Sequence, residues 1–337
     1  MRPFDYVRPE TMAEAFTLLG QEAGGVRVLA GGTDLLPLMK TDLTAPERLM
    51  DIKRLDQMPR DIAATAEEVT LGALTTLTAI ETHALIQERY TLLAEAAALA
   101  ATPQLRNMAT LGGNLLQRPR CWYFRHPHID CWLKGSDTCP AKDGQNQLHA
   151  LFGAGPCYAV HPSDLAPALL ALEADVRLMG PVEERRLPLA EFFVCPEPER
   201  RLEVTKDEDE LLLAVHLPPL PAGTRSTYLK AMDRKTWAFA LVGVAAAMHM
   251  EAQTVTDVRL VLSGVAPIPW RVTAAETVLV GHTISEERVT QAAEQALSGA
   301  MPLPHNTYKI PLAKHLIRRA LWALANDTNG TQTSPRG

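Results

Sequence analysis

The first fifty-five residues alternate short apolar runs with periodic apolar–polar segments. "FDYVRP" and "VRVLAGG" read as strands, and "RLMDIKRL" as a third. Between them, "TMAEAFTLLGQEAG" places apolar residues at helical spacing, with Thr11 as its N-cap and Gly24 near its end. "TDLLPLMKTD" predicts a short helix. Residues 1–55 therefore form a small α/β unit.

A second unit spans residues 56–220. "DIAATAEEVTLGALTTLTAIETH" predicts two short strands leading into a helix, and the Ala-rich "TLLAEAAALAA" a further helix. "HPSDLAPALLALEADVRLMG" reads as a capped helix followed by a strand. "ELLLAVHLPPLPAG" closes the unit with a strand and a Pro-rich linker. In residues 221–330 the pattern changes. "STYLKAMDR", "FALVGVAAAMHME" and "VTDVRLVLSGVA" predict a three-stranded antiparallel sheet. Two helices follow, "SEERVTQAAEQALSG" and "YKIPLAKHLIRRALWALAND", giving an α+β layer. The polar tail "NDTNGTQTSPRG" is expected to fray.

Composition narrows the function classes. The formal net charge of −6 over 337 residues argues against nucleic acid as a partner. No apolar run is long enough to span a bilayer, and the N-terminus lacks a signal core or twin-arginine pair. The chain is expected in the cytoplasm, or in the periplasm if exported with a signal-bearing partner.

Two stretches echo each other 81 residues apart: "LAGGTDLL", with Gly31, Gly32, Thr33 and Asp34, and "TLGGNLLQ", with Gly112, Gly113 and Asn114. In the first, a strand runs into a glycine pair and then a helix. Such a turn aims backbone N–H groups at one centre and suits a phosphate or diphosphate; it equally suits a tight turn alone. Neither stretch is G-x-G-x-x-G, and no Walker A motif is present, so Rossmann and P-loop sites are poorly supported.

Cysteine is concentrated in one region. Cys121, Cys131, Cys139 and Cys157 are separated by nine, seven and seventeen residues, and Cys195 stands apart as a small buried hydrophobe. Disulfides need an oxidising compartment. Zinc usually takes a closely spaced C-x₂-C pair, which is absent. A four-iron cluster also takes four thiolates and accepts wider loops. Unconnected buried thiols are the remaining reading. Pro140 and Pro156 stiffen the loops; His126, His128 and His149 lie nearby and could ligate metal, but four thiolates already complete a tetrahedral set, so they read mostly as structural or solvated.

Taken together, "LAGGTDLLPLMK", "LRNMATLGGNLLQR", "HPSDLAPALLAL" and "YLKAMDRKTWAFALVGVAAAM" resemble the FAD-binding middle subunit of the xanthine dehydrogenase and aldehyde oxidase family of molybdenum hydroxylases. The resemblance continues into "GVAPIPWRVTAAETVLVG" and covers nearly the whole chain. It implies a two-part FAD-binding domain of the vanillyl-alcohol-oxidase-like type followed by the family's C-terminal domain. About fifty residues intervene between Asn114 and Ser163, and they carry all four cysteines. This insertion, at about 115–160, is similar to that of members holding a [4Fe–4S] cluster. The match is best to the flavin subunit of periplasmic-type aldehyde oxidoreductases; the 4-hydroxybenzoyl-CoA reductase flavin subunit is an alternative.

The resemblance assigns residues. Leu29, Ala30, Gly31, Gly32, Thr33, Asp34, Leu35 and Leu36 match the first diphosphate loop, and Thr110, Gly112, Gly113 and Asn114 the second. Arg106 and Asn107 help shape that second loop. Asp164 matches an aspartate on the flavin's sugar-like chain, although after Ser163 it also reads as a helix cap. Lys230 matches a lysine beside the isoalloxazine that could tune it, and Trp237 is expected to pack. Cys121, Cys131, Cys139 and Cys157 match the cluster ligands. Substrate oxidation then belongs to a large molybdopterin-binding subunit, and electrons arrive through the [2Fe–2S] centres of a small subunit. Two other readings are a self-contained flavin oxidase and a zinc-stapled, non-catalytic assembly module.

Overall fold

The computed structural model describes residues 1–21 and 25–326. Gly24 and the tail from residue 327 lie outside the described residues. Among the described residues three sheets organise the chain, each with its own local logic.

The first sheet is parallel. Strands β1 (Asp5–Val7), β2 (Val26–Leu29) and β3 (Arg48–Asp51) lie in the order β1-β3-β2. Helix α1 (Met12–Gln21) links the first two strands, and the Thr11 hydroxyl caps it by accepting from Glu14 N at 3.2 Å. Helix α2 (Leu35–Lys40) starts just after the first glycine pair.

The second sheet is antiparallel and holds β4 (Ile62–Ala64), β5 (Val69–Gly72), β6 (Asp175–Met179), β7 (Glu184–Pro188) and β8 (Leu211–Leu217), in the order β4-β5-β8-β6-β7. The central strand β8 is buried along its whole length, as a run of seven apolar-rich residues covered on both faces must be. Helices α3 (Leu77–Thr82), α4 (Ala84–Arg89), α5 (Thr91–Leu99), α6 (Pro103–Arg106), α7 (Leu111–Leu115) and α8 (Trp122–Arg125) fall between β5 and β6. Helix α9 (Leu165–Ala171) precedes β6, and α10 (Leu189–Phe192) follows β7. All seven residues of α9 are buried, which explains its composition of Leu, Ala and Pro without a polar face. The Ser163 hydroxyl accepts from Ala166 N at 2.9 Å and caps α9; Asp164 makes no side-chain cap bond.

The C-terminal sheet has four strands rather than three. Strands β9 (Arg225–Ala231), β10 (Val242–Glu251) and β11 (Thr254–Ser263) are joined by the two-residue β12 (Trp270–Arg271), in the order β12-β11-β10-β9. Three helices follow instead of two: α11 (Thr273–Leu279), α12 (Glu286–Ala296) and α13 (Lys309–Asn326). The extra helix, α11, lies in "RVTAAETVLVG", where β-branched residues dilute the helical pattern.

One core fills the first two units, and a second lies beneath the C-terminal helices. A third, small cluster brings Leu38, Phe124 and Trp132 together with the four clustered cysteines. Leu38 belongs to α2, so the cysteine segment packs against the helix that follows the first glycine loop. No described helix is long and apolar enough to cross a membrane.

Candidate functional site: a cleft between glycine loops and a cysteine pocket

The two glycine loops meet. A Cβ on Gly31 would lie 1.9 Å from the carbonyl oxygen of Met108 and 2.8 Å from its carbon, so only glycine permits this approach. Gly32 has φ +72°, in the left-handed region. Residues Ala30 through Leu35 and residues Thr110, Gly112 and Gly113 line one cleft of about 1190 Å³. The cleft exceeds the usual size of a small-ligand pocket. The N–H groups of Gly31 through Leu35 meet no protein acceptor among the described residues. They offer donors to a bound anion.

The second loop is built differently. Gly112 N donates to Ala73 O at 2.9 Å, and Gly113 N to the Thr110 hydroxyl at 3.2 Å. Its donors are thus used internally, and its glycines serve close packing: a Cβ on Gly112 would lie 3.1 Å from that of Ala73. Arg106 and Asn107 tie the approach to this loop onto α3. The Arg106 guanidinium bridges both carboxylate oxygens of Glu81 at 2.7 and 3.2 Å, and Asn107 accepts from Thr78 at 2.8 Å. Leu29, Leu36 and Asn114 do not line the cleft. Leu29 and Leu36 pack about Gly32, and Asn114 accepts from Ser163 Oγ at 2.5 Å.

Asp34 faces both the cleft and the insertion. Arg125 Nη2 donates to its Oδ1 at 2.8 Å, Arg118 N to its Oδ2 at 2.9 Å, and Arg120 forms a further ion pair. Burial alone would raise the Asp34 carboxyl, but the Arg120 and Arg125 charges hold it below the usual carboxylate range. Lys134, Gly135, Ser136 and Asp137 of the insertion form part of the cleft wall.

Asp164 and Lys230 lie elsewhere. Lys230 Nζ donates to Asp164 Oδ2 at 2.7 Å and to Leu99 O at 3.0 Å, and its side chain is 0% exposed. Tyr228 OH donates to Asp164 Oδ1 at 2.7 Å. Burial raises the Asp164 carboxyl, opposed by the Lys230 charge. Asp164 lines a separate cavity of about 190 Å³, whereas Lys230 lines neither. Trp237, expected to pack, is 60% exposed at a φ of +54° on the connection between β9 and β10.

The four cysteines converge from across the insertion. All are free thiols, and Cys131 and Cys157 are buried. The neighbouring Cys157 thiol lowers the Cys139 thiol to about 6, while Cys139 and burial push Cys157 up. Burial raises Cys121 to about 11, with Cys131 and Cys139 close enough to add their charge. Burial likewise raises Cys131. Among the described residues no three His, Cys, Asp or Glu side chains are arranged to hold a metal ion. Thiolates on one zinc would pack at roughly 3.8 Å, from a Zn–S bond of about 2.3 Å. Cys195 is half-buried beside Gly153. His126 and His128 are exposed, whereas His149 is buried with Nε2 3.2 Å from Cys121 Sγ.

Sequence singles out His149 only by its nearness to the cysteines, and gives no signal at Arg118, Arg120 and Arg125. Only the tertiary fold brings those arginines to Asp34, more than eighty positions away.

Comparison with known proteins places this architecture. Residues 2–220 match the family model described as FAD binding domain in molybdopterin dehydrogenase. Residues 227–324 match the CO dehydrogenase flavoprotein C-terminal domain. Fold and matches together define an FAD-binding protein of the molybdopterin-dehydrogenase class. The chain belongs to the FAD-binding medium subunits of the molybdenum hydroxylase family. It is 37% identical to the aldehyde oxidoreductase FAD-binding subunit PaoB of Escherichia coli (strain K12), over 95% of this chain and 98% of that one. It is 31% identical to the carbon monoxide dehydrogenase medium chain of Hydrogenophaga pseudoflava, over 95% and 97%. The solved carbon monoxide dehydrogenase from Hydrogenophaga pseudoflava lacking the Mo-pyranopterin moiety superposes with a TM-score of 0.76 at 30% identity, covering 96% of this chain and 99% of that one.

Proposed function

We propose that this chain receives electrons from a [2Fe–2S] small subunit, holds the FAD that takes them up in the cleft between its glycine loops, and passes them to a final acceptor. Substrate oxidation belongs to a large molybdopterin-binding subunit, with an aldehyde as the substrate class; the 37% identity to an aldehyde oxidoreductase subunit supports that choice. FAD exchanges one or two electrons at a time and so can join iron–sulfur carriers to a two-electron acceptor. The observation that carries the proposal is the contact at Gly31, which closes two distant loops onto one cleft.

The residues divide the work of binding. The N–H groups of Gly31 through Leu35 face the diphosphate as donors. Thr110, Gly112 and Gly113 shape the opposite wall. Leu29, Leu36 and Asn114 hold those loops in place from behind. Asp164, fixed by Lys230 and Tyr228, positions the segment leading into α9, and any influence of Lys230 on the flavin passes through this pair.

The four gathered thiols fit a [4Fe–4S] cluster. Four thiols gathered in one small buried cluster are the full ligand set that such a cluster takes. The test is the complex purified anaerobically, with flavin, iron and sulfide quantified. One FAD per chain is expected, and Cys139→Ser should remove about four irons per chain. An unchanged iron content in that variant would sink the cluster assignment. Full flavin in Gly31→Ala would sink the cleft assignment.

A further inference from the structure

His149 is a buried imidazole whose Nε2 lies 3.2 Å from Cys121 Sγ and whose Nδ1 has no partner. Its ring is clamped edge-on against Trp122, with centroids 5.5 Å apart, and lies 6.0 Å from Tyr123. Its backbone is held from the C-terminal domain. Lys309 Nζ and Asn306 Nδ2 donate to His149 O at 3.0 and 3.1 Å, and both residues are fully buried at the start of α13. Lys309 Nζ also donates to Gly264 O at 2.6 Å. The aromatic neighbours hold the ring beside the sulfur, and the C-terminal domain holds the backbone that carries it.

Resting on the reading of the four cysteines as cluster ligands, we propose that His149 is a positioning residue that donates an Nε2–H hydrogen bond to the Cys121 sulfur and raises the cluster's reduction potential. With Cys121 bound as a thiolate the sulfur has no proton to give, so the bond can run only from nitrogen to sulfur. The tautomer is thereby set, which leaves Nδ1 as the unpartnered acceptor. Reduction adds negative charge to the cluster and its sulfurs. A donor aimed at one of them favours the reduced form over the oxidised one. The clamp from Lys309 and Asn306 makes the potential depend on how the C-terminal domain seats against the insertion.

The experiment is an EPR-monitored redox titration of the intact complex, following the reduced four-iron signal in wild type, His149→Leu and His149→Gln. Flavin content, iron content and melting temperature are measured in parallel. In His149→Leu the reduction equilibrium should move roughly tenfold toward the oxidised form, which is about 59 mV for one electron. His149→Gln keeps an N–H donor and should recover part of that shift. An unmoved midpoint in His149→Leu with full iron would overturn the role of His149 and leave the cluster standing. Loss of the four-iron signal in both variants with flavin retained would also overturn it, because His149 would then be a ligand. Absence of the signal in iron-replete wild type would overturn the cysteine reading, and this inference with it.

Discussion

At the scale of single residues, Gly31 carries the strongest constraint. The atom its nearest Cβ would meet is a backbone oxygen, which cannot rotate away. Gly31→Ala must therefore part the two loops, and we expect it to lose most of its flavin, read as the ratio of flavin to protein absorbance. Asp34 governs a pH effect. Its folded carboxyl is held below the ordinary range, so the stability it contributes is present above about pH 4 and is lost as pH falls toward its lowered value. At pH 7, Asp34→Asn should destabilise by on the order of 1–2 kcal/mol, since it leaves the half-buried Arg120 and Arg125 without their charge partner. Melting curves of the two proteins should converge on acidification; a constant gap would contradict the assignment. The glycine pairs stood out in sequence because the two stretches echo each other, and the four cysteines because the chain has five and four fall in one region. The role of His149 did not, since it depends on one distance across the insertion.

At the scale of elements, the strand and helix pattern was legible wherever one face is buried and the other wet. Helix α12 shows this, with its buried stripe of Val289, Ala292, Ala293 and Ala296. Strand β12 escaped because two residues carry no periodicity. The α9 start is a case of shared function. Ser163 caps the helix and also donates to Asn114 in the second glycine loop. Ser163→Ala should therefore cost more than the roughly 1 kcal/mol of an ordinary cap. A melting-temperature loss together with weaker flavin retention is expected. A loss of stability alone would mean that the bond to Asn114 does not support the loop.

At the scale of the molecule, β9 is bolted to the second unit by polar groups. Glu95 accepts from Tyr228 N at 2.7 Å and from Thr227 Oγ1 at 3.0 Å, while Lys230 pairs with Asp164. Lys230→Met leaves the Asp164 carboxylate buried without its cation, and should cost about 3–5 kcal/mol. Adding Asp164→Asn should restore a large part of that loss in denaturant melts, whereas additive losses would show that the two residues act independently. The pairing in this bolt was not visible in sequence, where Lys230 is an unremarkable strand lysine and Asp164 an acid before a helix, each singled out only by the family resemblance.

Asp34 has one more consequence, for biogenesis. The same carboxylate anchors the first glycine turn, proposed above to meet the flavin, and the arginines that frame the cysteine segment. Until that segment folds, the turn lacks three of its tethers. On the proposed reading of the cysteines as cluster ligands, maturation has an order, with iron delivered before the vitamin-derived partner is captured. Cells starved of iron should accumulate a pale chain deficient in both, even when riboflavin is plentiful.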